Sequence, residues 1–74
     1  MSVSKTARDI VEKSGRKQAW IAERMDEVAP QLGMNPTKLS QTLTGKRTMT
    51  AEELVVFCIA TETDINEFLI SAIA

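Results

Sequence analysis

The sequence predicts an all-α fold, a compact bundle of five short helices forming one domain over residues 1–74. Three observations carry that expectation. Apolar residues recur at steps of three and four along the chain, and no stretch alternates as a half-buried strand would. Glycines stand where those stripes stop, at Gly15, Gly33 and Gly45. Helix-start signatures precede the later stripes: Asn35 with Pro36, Thr50 with Glu53, and Asp64 with Glu67.

Taken in order, Val3, Ala7, Ile10 and Val11 space as one face of a first helix, with Ser2 or Ser4 as its cap and Gly15 at its end. A second helix starts near Arg16 or Lys17, with the stripe Ile21, Met25, Val28 and Leu32 and with Ala22 and Ala29 alongside. Pro30 falls inside that stripe, where it would remove an amide donor and clash with the carbonyl four residues back, at a cost of about 3 kcal/mol. A long helix bent near Asp26 and ended by Gly33 is expected. The alternative is a helix that stops near Met25, with Asp26 capping a short new one.

The third helix has its cap at Asn35, proline at the first helical position, the apolar pair Leu39 and Leu43, and Gly45 as its close. A fourth begins at Thr50 and carries Leu54, Val55, Phe57, Cys58 and Ile59. A fifth opens at Asp64 and is apolar on more than one side, with Ile65, Phe68, Leu69, Ile70 and Ile73. Such a segment either folds fully onto the core or meets a partner. Trp20 and the four methionines are expected in the core, as is Cys58 within VVFCIA.

Composition removes several function classes. With no histidine and one cysteine, histidine acid–base catalysis and an intrachain disulfide are excluded, and no zinc site is expected. No phosphate-cradling glycine loop is present, so no enzymatic activity, cofactor or small-molecule substrate is expected. Apolar runs fall far short of a membrane span, and the N-terminal MSVSKTARDIVEK is charged where a signal peptide is apolar, so the expected location is cytoplasmic.

The formal net charge of -1 hides a polarity. Residues 34–49 carry Lys38, Lys46 and Arg47 and no acid, while residues 50–74 carry Glu52, Glu53, Glu62, Asp64 and Glu67 and no base. A polyanion responds to the local field and not to the sum. The N-terminal half could therefore meet phosphate with the acidic end turned away.

Residues 28–45 add a helix-turn-helix signature: Ala29 is small where two helices must cross closely, Gly33 four residues on is where the chain must turn, and Leu39 packs the next helix back. Here the chain resembles the lambda-repressor and Cro-like (XRE) family of helix-turn-helix proteins. LGMNPTKLSQTLTGKRTMTAEEL looks like that family's turn, recognition helix, loop and fourth helix. TDINEFL looks like the start of its fifth helix, and GRKQAWIAERM like its second. Holding both fits requires an insertion, DEVAPQL at residues 26–32, about two helical turns that could extend the second helix.

The resemblance implies a lambda-repressor-like bundle that binds double-stranded DNA in a sequence-specific way, with residues 35–44 as the recognition helix in the major groove. With Leu39 and Leu43 facing the core, Thr37 and Gln41 point outward. Gln41 suits adenine N6 and N7, and Thr37 can donate to a base or lay its methyl against thymine. The family's base-contacting positions fall on Pro36, Thr37 and Gln41, with Ser40 half-buried beside them. Phosphate contacts are expected from Lys17, Gln18, Asn35, Lys38, Thr44, Lys46 and Arg47. The implied role is a phage or bacterial transcription regulator of repressor type. A weak homodimer, completed on an operator, is expected through Phe68, Leu69, Ile70 and Ile73. The rival class is a protein-binding module (antitoxin, anti-repressor or adaptor) that uses the acidic, apolar C-terminal helix.

Overall fold

The computed structural model describes the backbone of residues 3–73 and the side chains of residues 3–69. Five α-helices follow one another: α1 (Val3–Ser14), α2 (Gln18–Val28), α3 (Pro36–Leu43), α4 (Ala51–Thr61) and α5 (Asn66–Ile73). A single 3-10 turn, Pro30–Leu32, lies between α2 and α3. No strand is present among the described residues.

In α1, Ala7 and Val11 are buried and Ile10 packs at the edge of the core, but Val3 is exposed. The helix ends where the Ser14 hydroxyl donates to the Val11 carbonyl and accepts from the Arg16 N–H. Gly15 then turns the chain with φ +69°.

Helix α2 buries Ile21, Ala22 and Met25 at its centre. It neither runs on to Gly33 as one bent helix nor stops near Met25. It extends to Val28 and breaks at Ala29, whose φ -141° and ψ 77° lie outside the helical region. The cause is Pro30: its ring excludes the α conformation from the residue before it. Proline then opens the 3-10 turn, where its missing N–H costs nothing. The stripe drifts in consequence, and buried Ala29 takes the inward place expected of Val28, which is exposed. Residues 26–32 therefore form the last residues of α2, the break at Ala29 and one 3-10 turn. Gly33 closes that turn in the left-handed region, φ 60°, and Met34 drops into the core before α3 begins.

Helix α4 opens on a reciprocal capping box. The Thr50 hydroxyl accepts from the Glu53 N–H, and the Glu53 carboxylate accepts from the Thr50 N–H. Asp64 accepts from the Asn66 N–H and so starts the turn into α5. The core joins Ile21 and Met25 of α2, Leu39 and Leu43 of α3, and Phe57 of α4, all essentially without solvent contact. Helix α2 packs on both α3 and α4, and α1 packs on α3, α4 and α5.

Two assignments change on burial. Phe68, expected at a dimer interface, is buried and meets Phe57 edge to face, with ring centroids 6.1 Å apart. It is a core residue. Leu69 is exposed, while the side chains of Ile70 and Ile73 lie outside the described residues. Trp20, expected inside, is 39% exposed, with the Arg16 guanidinium 4.3 Å above its ring. No helix among the described residues is long and apolar enough to cross a membrane.

Candidate nucleic-acid interface

Helix α3 is short and closed at both ends. At its start the Asn35 side chain accepts from the Lys38 N–H at 2.8 Å, and Pro36 occupies the first helical position. At its end the Lys46 and Gly45 N–H groups donate to the Gln41 and Thr42 carbonyls at 2.9 and 3.2 Å. This is a Schellman closure, and it requires the positive φ of +81° that Gly45 supplies. The closure also sets Lys46 immediately beyond the helix end.

Three residues of α3 face inward: Leu39, Thr42 and Leu43. Thr42 is the unexpected one. Its hydroxyl donates to the Lys38 carbonyl at 2.9 Å and accepts from Arg47 Nη1. Including Thr42 moves the centre of the buried side about 30° around the helix, at roughly 100° per residue, and away from Ser40. Ser40, expected half-buried, is exposed. The outer face is then Pro36, Thr37, Ser40, Gln41 and Thr44, all exposed, uncharged and mostly polar. Pro36, Thr37 and Gln41 are thus brought together on one side, and Ser40 joins them.

The expected phosphate contacts divide. Lys46 and Lys17 are exposed, and neither forms an ion pair among the described residues. Lys17 stands at the N-cap of α2 with no side chain capping that helix, so the first amide groups, beside exposed Gln18, remain open. These two residues sit at the start of α2, outside the stretch of sequence that carries Lys46. Asn35 is exposed, but its carbonyl oxygen is engaged by the cap, which leaves its NH2 group outward. Lys38 is half-buried and folds back over the turn: its Nζ lies 3.6 Å from where a Cβ on Gly33 would be. The Thr44 hydroxyl donates to the Ser40 and Gln41 carbonyls at 3.0 and 3.2 Å, so its proton is not free for a phosphate oxygen.

Arg47 requires a correction. The acid-free stretch around it implies an uncompensated cation, but both its terminal nitrogens donate to the Glu53 carboxylate, and Nη1 also reaches Thr42. Glu53 is only 3% exposed. The Arg47 hydrogen bonds hold its carboxyl below the usual carboxylate range against the opposing effect of burial, and the Thr50 N–H acts in the same direction as Arg47. The same pairing raises the Arg47 pKa. Arg47 is therefore a brace between α3 and α4 and not a free clamp. Nor is every acid turned away, because Glu53 faces inward beside the cationic run. Sequence spacing could have raised the pair: the Glu53 that completes the capping box lies six residues after Arg47.

Elsewhere, Cys58 is buried and its thiol pKa is pushed up, chiefly by that burial and then by Asp64. No group of three or more potential metal ligands lies together among the described residues. Trp20, Arg16, Arg24 and exposed Ile59 line one shallow surface groove between α2 and α4. No protein-family model, curated protein or solved structure matches the chain.

Proposed function

We propose that the protein binds double-stranded DNA with sequence preference, laying α3 in the major groove as a transcription regulator of repressor type would. One observation carries this reading. The outer face of α3 is an exposed, uncharged, hydrogen-bonding surface, and unpaired Lys46 follows at its end. Bases are read by such groups and the backbone is held by cations. Helix α3 spans about 12 Å at 1.5 Å per residue, enough for one half-site of a few base pairs. The open start of α2, with Lys17 and Gln18, supplies a second anchor for phosphate. The resemblance to the lambda-repressor and Cro-like proteins points the same way. Two half-sites would need two copies, and Leu69 is the exposed apolar side chain among the described residues of α5 through which they would pair.

Salt dependence tests the reading. Binding to a duplex of mixed sequence, followed between about 50 and 200 mM salt, should weaken with a logarithmic slope of about -0.9 per neutralised phosphate. Binding that ignores salt, or no binding at about 50 mM, rejects it.

A second reading, a protein-binding module, is favoured by the exposed Trp20, Val55 and Ile59 on α2 and α4. In that case duplex DNA is ignored at every salt concentration, and substitutions at these three residues abolish the partner's binding.

A further inference from the structure

We infer that the outer face of α3 selects A·T base pairs, with Gln41 reading adenine and Pro36 and the Thr37 methyl covering thymine C5-methyl groups. The inference rests on the DNA-binding reading and adds to it the class of sequence recognised.

The major groove offers four distinguishable edges. Guanine presents two acceptors, best met by the forked donors of arginine or by lysine; cytosine presents a donor, met by a carboxylate; adenine presents one donor and one acceptor; thymine presents an acceptor and a methyl. The face of α3 can be compared with each edge in turn.

For guanine, the cations nearest the face are all diverted. The Lys38 ammonium is drawn back over Gly33, at 3.6 Å from its would-be Cβ. Arg47 is held in a fork by Glu53 and by Thr42. Lys46 lies past the helix end, in the Schellman turn. For cytosine, residues 33–47 contain no carboxylate at all.

For adenine, the Gln41 amide is exposed and has no partner among the described residues, so both its donor and its acceptor are available. For thymine, Pro36 has no N–H and presents only ring methylenes, exposed at the start of the helix one residue before Thr37. The Ser40 hydroxyl meets either kind of edge and decides nothing. Thr44 has its proton committed to two carbonyls of its own helix. What remains matches adenine and the thymine methyl best, because it offers a paired donor and acceptor and an apolar cover but neither a free cation nor a carboxylate on the face.

The full chain, selected against a pool of randomised duplexes, should enrich half-sites with A·T pairs at their centre. In the best such duplex, replacing a contacted thymine by deoxyuridine removes only the C5-methyl group. It should weaken binding about fourfold, the equivalent of one buried methyl. Gln41→Ala, an exposed change that leaves the helix intact by circular dichroism, should lower the preference for the central adenine by about fivefold or more. The inference is overturned if selected half-sites centre on G·C pairs, or if deoxyuridine leaves affinity unchanged while the duplex is still bound. Failure to retain any duplex at low salt overturns the DNA-binding reading itself, and the inference with it.

Discussion

Arg47 and Glu53 form a forked ion pair that ties the loop after α3 to the first turn of α4. The same Glu53 carboxylate closes the capping box on Thr50, and the same guanidinium reaches the buried Thr42 of α3. One carboxylate therefore serves helix capping, charge compensation and the relative placement of two helices.

Removing that carboxylate leaves a half-buried guanidinium partly unpaired. Glu53→Gln should cost about 1.5–3 kcal/mol at pH 7 by urea denaturation, the range for charge-assisted hydrogen bonds. The pH dependence has a definite sign. The folded pKa of Glu53 is depressed. Its stabilisation is thus complete above the unfolded carboxylate value of about 4.3 and is lost as pH falls through the lower folded value. The gap between wild type and Glu53→Gln should close below about pH 4. A gap unchanged down to pH 2 would mean the pair contributes nothing. Arg47→Lys keeps the charge but loses the fork, so it should reduce stability and leave the salt slope of DNA binding unaltered.

Gln41 and Lys46 should behave differently. Gln41→Ala is expected to lose about 1–3 kcal/mol of discrimination between the preferred duplex and a random one. Lys46→Ala should weaken both duplexes alike and reduce the salt slope by roughly one. Equal effects of the two changes on both duplexes would remove the division between base reading and phosphate anchoring.

Phe68 and Leu69 are neighbours with opposite environments, one buried against Phe57 and the other exposed. Phe68→Ala should lower stability by about 3–5 kcal/mol. Leu69→Ala should change monomer stability by about 0.5 kcal/mol or less. If α5 pairs two copies, Leu69→Ala also shifts sedimentation toward the monomer. A stable Phe68→Ala variant would place that ring outside the core.

Glu62 ends α4 in the left-handed region, φ 56°, the only described residue other than glycine with positive φ. The Thr63 N–H completes the turn by donating to the Cys58 carbonyl at 2.9 Å. A side chain there carries a steric cost that glycine lacks. Glu62→Gly should raise stability by about 0.5–1 kcal/mol in thermal or urea unfolding. A loss would show that the Glu62 side chain holds a contact worth more than the strain.

Local chemistry made much of this molecule legible along the chain. Asn35 with Pro36, Thr50 with Glu53, and the glycines at positions 15, 33 and 45 act on backbone groups within a few residues of themselves. The exposure of Thr37 and Gln41 likewise follows from helical spacing once Leu39 and Leu43 are buried. Pro30 is legible as an obstacle, but where the chain yields depends on Ala29 and Met34 both entering the core around it.

Only tertiary structure decided the rest. Whether Phe68 meets Phe57 or a second copy, whether Trp20 lies inside, and whether Arg47 is free or held by Glu53 are choices between partners from different helices. Periodicity specifies that a helix has an apolar side, and a charge count specifies that a segment is basic. Neither specifies which neighbour arrives, because that depends on how all five helices share one small core and on which cation a buried carboxylate captures.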